Sequence, residues 1–126
     1  MTSFFQKTIN SEVQFSGVGL HNGSKVTMKL IPAAPNHGIV FKRTDIKTKN
    51  LISAVFNNVN KAILCTSIKN EFGISVSTVE HLLGALYGEE IDNLLVEIDS
   101  SEVPIMDGSA KQFIQKIRKT GTKSYD

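Results

Sequence analysis

Apolar and polar residues alternate along Lys25–Ile31: Val26, Met28 and Leu30 fall on one side and Lys25, Thr27 and Lys29 on the other. A period of two predicts a strand with one buried and one wet face. Residues 13–20 (VQFSGVGL) precede it and run into Asn22-Gly23. The pair predicts a hairpin closed by a tight primed turn, because Asn and Gly both tolerate positive φ. Pro32-Ala33-Ala34-Pro35-Asn36 ends the second strand. Further strands are predicted at Ile39–Lys42, at Ile52–Phe56 as an edge, at Ala62–Ile68 and, after the turn Lys69–Gly73, at Ile74–Val76.

The period then changes. Val79, Leu82, Leu83 and Leu86 stand at i, i+3, i+4 and i+7, one stripe of a helix. Ser77 with Glu80 three residues on has the spacing of a capping box, and Gly88 is placed to end the helix in the left-handed conformation. A short buried strand follows at Asn93–Ile98, then a loop at Val103–Gly108. A second helix is expected over about residues 109–119, capped by Asp107 or Ser109, with Ala110, Phe113, Ile114 and Ile117 facing the core. The tail Thr120–Asp126 has no pattern and reads as frayed or as a linker. This gives an α+β fold: a two-layer sandwich in which two helices cover one face of a mostly antiparallel sheet, in β-β-β-α-β-α order.

Composition narrows the partners. The 126 residues form a single domain, 1–126, with 40% hydrophobic and 21% charged residues, enough to bury a core without a structural metal. Fourteen basic and twelve acidic residues leave a net charge of +2. Without a basic stripe backed by stacking aromatics, nucleic acid is not an expected partner. The single cysteine, Cys65, permits no intrachain disulfide, and no apolar run is long enough to cross a bilayer. A cytoplasmic protein is the expectation.

Among residues that carry chemistry, Glu80-His81 at the start of a helix stands out. A neutral imidazole can bind zinc, and a neighbouring carboxylate can take a proton from water. The same Glu80 is also explained as the capping partner of Ser77, and His81 as a surface residue. No second histidine follows one turn on, so this is not the zinc-protease pattern. His21 stands beside the Asn-Gly turn and His37 in a Pro-Asn-His-Gly loop, both positions where polar residues are expected anyway. Cys65 lies mid-strand, where a cysteine usually serves as a small hydrophobe.

Several segments taken together resemble one family. They are Ser16-Gly17-Val18-Gly19-Leu20-His21-Asn22-Gly23, Phe41-Lys42-Arg43-Thr44-Asp45, Leu64-Cys65-Thr66, Ser77-Thr78-Val79-Glu80-His81-Leu82, Ile91-Asp92-Asn93 and Val103-Pro104-Ile105-Met106-Asp107-Gly108-Ser109. In order and spacing the chain is similar, from about residue 7 to 117, to the N-terminal domain of the UDP-3-O-acyl-N-acetylglucosamine deacetylases of lipid A synthesis. The resemblance implies a zinc amidohydrolase that releases acetate from a UDP-sugar lipid. It implies His81 as a zinc ligand, Glu80 as general base, and Leu20, His21, Leu64 and Cys65 beside the substrate. It also implies that the other ligands lie in a second, catalytic domain outside residues 1–126. The chain alone is then expected to hold Zn2+ weakly or not at all and to be inactive. Its partner is expected to be that domain, or a second copy met through a helix face exposing Leu82, Leu83, Tyr87 or Phe113. The alternative is a non-enzymatic binding or regulatory module derived from the same domain.

Overall fold

The computed structural model describes residues 5–55, 59–61 and 66–125. The strands are β1 (Lys7–Ile9), β2 (Val13–Val18), β3 (Lys25–Pro32), β4 (Ile39–Arg43), β5 (Leu51–Ser53), β6 (Val59–Lys61), β7 (Thr66–Lys69) and β8 (Ser75–Ser77). They are followed by helix α1 (Glu80–Gly88), β9 (Leu94–Ile98), helix α2 (Lys111–Thr120) and β10 (Thr122–Ser124). The fold is α+β, as its sequence patterns predict, though with more short strands than the predicted order holds.

Five strands form the main sheet in the order β2-β3-β9-β4-β5. Its pairs are antiparallel except β4 with β9, which run parallel; the chain between them crosses over through β5–β8 and α1. β5 takes the edge position expected of it. Register puts Phe15 beside Met28, Met28 beside Ile98, Leu30 beside Val96, and Phe41 between Val96 and Ile52. All of these are buried and belong to one core, so alternation in sequence becomes a single apolar face.

Helix α2 lays Phe113 edge-on to Phe15, centroids 5.0 Å apart at 74°. Ile117 is also buried, with Ala110 and Ile114 packed against the same cluster, as the helical period predicts. Helix α1 packs against α2 and buries Leu82, Leu83, Ala85 and Leu86. Of the side chains expected on an exposed helix face, Leu82, Leu83 and Phe113 therefore lie in the core instead, and Tyr87 alone is exposed. The stripe that announces a helix is the stripe that the sheet and the second helix cover.

Local chemistry departs from expectation at four places. The first hairpin is closed not by a two-residue primed turn but by Gly19–Ser24, with Val18 opposite Lys25; only Gly23 of the Asn-Gly pair has positive φ. Ser77 does not cap α1: it remains in β8, its hydroxyl donating to the Ser101 carbonyl, and the N-cap position is Val79, with no side-chain cap bond. Gly88 stays helical, and Glu90 takes the left-handed conformation two residues later at φ 59°. The tail is not frayed, since β10 pairs with β1 and Asn10 N–H donates to the Gly121 carbonyl. Among the described residues, no helix is long and apolar enough to cross a membrane.

Candidate active site

Glu80 and His81 occupy the first turn of α1, both half-buried. The backbone N–H of Thr66 donates to Glu80 Oε2 at 2.7 Å, and Val79 N–H donates to the Thr66 carbonyl at 3.2 Å. The carboxylate therefore reaches sideways to the first residue of β7 and serves neither Ser77 nor the helix amides, which removes the capping-box explanation for Glu80. A carboxylate fixed through one oxygen retains a second to accept a proton. Leu64 and Cys65, expected to line the site, lie outside the described residues; Thr66 is the next residue in the chain.

The segment leading into α1 is strained. Thr78 holds φ at 60°, which is uncommon for any residue except glycine and more so for a β-branched one. It is buried, and its hydroxyl donates to Glu102 Oε2 at 2.6 Å. Ser77 pairs in parallel with Glu102 across a short bridge, Ser77 N–H donating to the Ser101 carbonyl and Val103 N–H to the Ser77 carbonyl.

Glu102 itself is 1% exposed. Besides Thr78, its carboxylate accepts the His21 N–H at 3.0 Å on each oxygen and the Asn22 N–H at 3.1 Å. The His21 Nε2 lies 4.0 Å from Glu102 Oε2. Burial pushes this carboxyl up; the Thr78 hydroxyl, the two amides and the His21 ring together outweigh it and hold the group below the usual glutamate range. The six-residue turn is thus shaped around a buried anion. Gly19 belongs to the same arrangement, because a methyl there would overlap both the Glu102 carboxylate and the Asn22 side chain.

The structure accordingly brings the turn bearing Leu20 and His21 to the segment that launches Glu80 and His81, with Glu102 between them. Leu20 and His21 are exposed. Glu102 carries no mark in the sequence: nothing about Ser100-Ser101-Glu102 announces a buried carboxylate. His37 is exposed and remote from this arrangement in its bonding, its Nδ1 lying 2.9 Å from the Gly38 carbonyl. Asp107 accepts from the Ser109 amide and hydroxyl, and Ser109 Oγ accepts from the Lys111 amide, so the two support the start of α2 as a relay although the N-cap position is Ala110.

Zinc fits this donor set only in part. Catalytic zinc takes three protein ligands and water. Among the described residues, no group of three or more His, Cys, Asp or Glu side chains is arranged to hold a metal ion. One imidazole and one adjacent carboxylate suit a ligand and a base, but not a complete site.

The chain is 53% identical over 116 residues to the UDP-3-O-acyl-N-acetylglucosamine deacetylase of Pseudoalteromonas atlantica, covering 92% of this chain and 38% of that protein. It is 49% identical, with the same coverage, to the deacetylase of Photobacterium profundum. To that of Shewanella denitrificans it is 46% identical over 119 residues, covering 94% and 39%. The chain thus spans a little under two fifths of the length of these relatives. Residues 6–126 match the family described as UDP-3-O-acyl N-acetylglycosamine deacetylase, and the chain belongs to that LpxC family.

Proposed function

We propose that the chain contributes Glu80 and His81 to a zinc-dependent deacetylase that hydrolyses the acetamide of UDP-3-O-acyl-N-acetylglucosamine in cytoplasmic lipid A synthesis. Water adds to the acetamide carbonyl, the C–N bond breaks, and acetate and the sugar amine are released. Zinc, when bound, polarises the carbonyl and makes water a better nucleophile near neutral pH. His81 offers one neutral nitrogen ligand from the first turn of α1. Glu80, oriented by the Thr66 amide, takes a proton from the attacking water, and a proton donor outside residues 1–126 serves the departing amine. Leu20 and His21, with Leu64 and Cys65, line the approach of the substrate. The observation that carries this reading is the Glu80 carboxylate held by β7 beside His81, in a chain whose family is that of the deacetylases.

The remaining ligands belong to a second domain outside residues 1–126, in keeping with the two fifths of its relatives that the chain spans. The side of α1 that carries exposed Tyr87 and open space at Gly84 and Gly88 is a surface for that domain, or for a second copy.

The test is to assay the chain alone and together with the remaining portion of a relative, measuring bound zinc and acetate release. Zinc-dependent release only in the combined preparation is expected. If combination restores neither zinc nor turnover, the alternative stands: a binding or regulatory module derived from the same domain.

A further inference from the structure

We infer that Glu102 is a positioning residue that sets the start of α1, and with it Glu80 and His81, by clamping Thr78 to the His21 turn. The inference rests on the reading of Glu80 and His81 as the working pair.

Three observations point the same way. A fully buried carboxylate with no cationic side chain within hydrogen-bond distance among the described residues is costly to keep in place of an apolar group, so it implies a specific task. Its bonds go to two separate segments, the amides of His21 and Asn22 on one side and the Thr78 hydroxyl on the other. Thr78 is also the one residue between β8 and the N-cap of α1 that has a left-handed backbone, and a β-branched residue stays there only when its surroundings enforce it. Releasing the hydroxyl would let Thr78 relax toward negative φ. That rotation lies two residues before Glu80, so it would swing the first turn of α1 away from Thr66. Gly19, with no side chain where the carboxylate sits, completes the clamp.

The test follows amide and imidazole signals of the 15N-labelled 126-residue chain by NMR, comparing wild type with Glu102→Gln, Thr78→Ser and Thr78→Val. Glu102→Gln and Thr78→Val should move the Thr66 amide, which reports the bond to Glu80, and the His81 ring. Thr78→Ser, which keeps the hydroxyl, should leave both near their wild-type positions. As a control, Ile117→Val lowers stability from the core and should move neither. Changes confined to His21, Asn22 and Thr78 in the Glu102→Gln chain overturn the inference, as does an equal effect of Thr78→Ser and Thr78→Val. If Glu102→Gln does not fold, the Thr78 pair decides by itself. In the combined, zinc-loaded preparation, Glu102→Gln should lower kcat about tenfold to a hundredfold with KM little changed; an unchanged kcat also overturns it. Failure of the wild-type preparation to release acetate would sink the deacetylase reading, whereas the NMR comparison would still decide the positioning claim.

Discussion

The Thr66 amide donates to Glu80 Oε2 at 2.7 Å, joining the first turn of α1 to the first residue of β7. A glutamate in the first turn of a helix usually serves its own amides or the solvent; here it spans to another element. The same bond serves stability, by pairing a backbone N–H, and chemistry, by aiming a carboxylate. The two roles separate by substitution.

Glu80→Gln keeps an oxygen that can accept from Thr66, so thermal stability should change little. Glu80→Ala leaves that amide without its partner and should cost about 1 kcal/mol, at the low end for an unpaired amide since the position is half-buried. In the combined preparation both should lower turnover by about 10²–10⁴, with zinc content unchanged, as expected for loss of a proton acceptor. Turnover that tracked the melting temperature instead of the carboxylate would show that Glu80 is structural.

His81→Ala should leave the fold intact, because the ring is not part of the buried core. Zinc retention by the combined preparation should fall at least tenfold, measured by metal content after dialysis against a weak chelator. Unchanged retention would remove His81 from the ligand set.

Gly19→Ala tests the crowding around Glu102. The added methyl would overlap the carboxylate and the Asn22 side chain, and relieving it requires the turn to move. A loss of about 1–3 kcal/mol is expected, in the range of an overpacked core, together with shifted His21 and Asn22 amide signals. Gly23→Ala meets open space and is penalised only through its positive φ, so it should leave the Glu102 bonds in place.

These contrasts follow the line between what the sequence carried and what it did not. The strands of the first hairpin and both helices are legible, because each has a periodic stripe that the fold buries, whereas β5 buries Ile52 between exposed Leu51 and Ser53. Ser77-x-x-Glu80 has the spacing of a capping box but forms none, because Ser77 still belongs to β8 and its hydroxyl serves Ser101. β1 and β10 leave no signal in the sequence because each is three residues long and they pair across most of the chain, and β10 is exposed throughout, so neither shows a period. The Asn-Gly pair marks the place of the turn but not its form, which is set by a buried glutamate about eighty residues away. Of the site, Glu80-His81 could be singled out from local chemistry and the family resemblance. Glu102 could not, because its partners are backbone amides and one hydroxyl, which leave no pattern in a single sequence.

The core makes a simpler prediction. Phe113→Ala removes a fully buried ring and its edge contact with Phe15, and should cost about 3–5 kcal/mol, read by denaturant or thermal unfolding. A loss below about 1 kcal/mol would mean that α2 is not docked as described.

Acid should expose Glu102 most directly. Its folded-state pKa is lowered, while the unfolded chain takes up a proton near the ordinary glutamate value of about 4.3. Above that value both states are ionised and the stabilisation is fully present. As pH falls below it, the unfolded state binds the proton first, and the stabilisation drains away until pH passes the lowered folded value. Once protonated, the carboxyl can no longer accept the His21 and Asn22 amides and the Thr78 hydroxyl through both oxygens. Wild type should therefore exceed Glu102→Gln in stability at pH 7, and the gap should narrow as pH falls below about 4.3. The arginine-paired Asp45 and Glu89 have lowered pKa values too, but they are common to both chains and cancel in the difference. Paired unfolding curves at pH 7, 4.5 and 3 make the measurement, and a gap independent of pH would mean that the carboxylate charge plays no part in holding the turn.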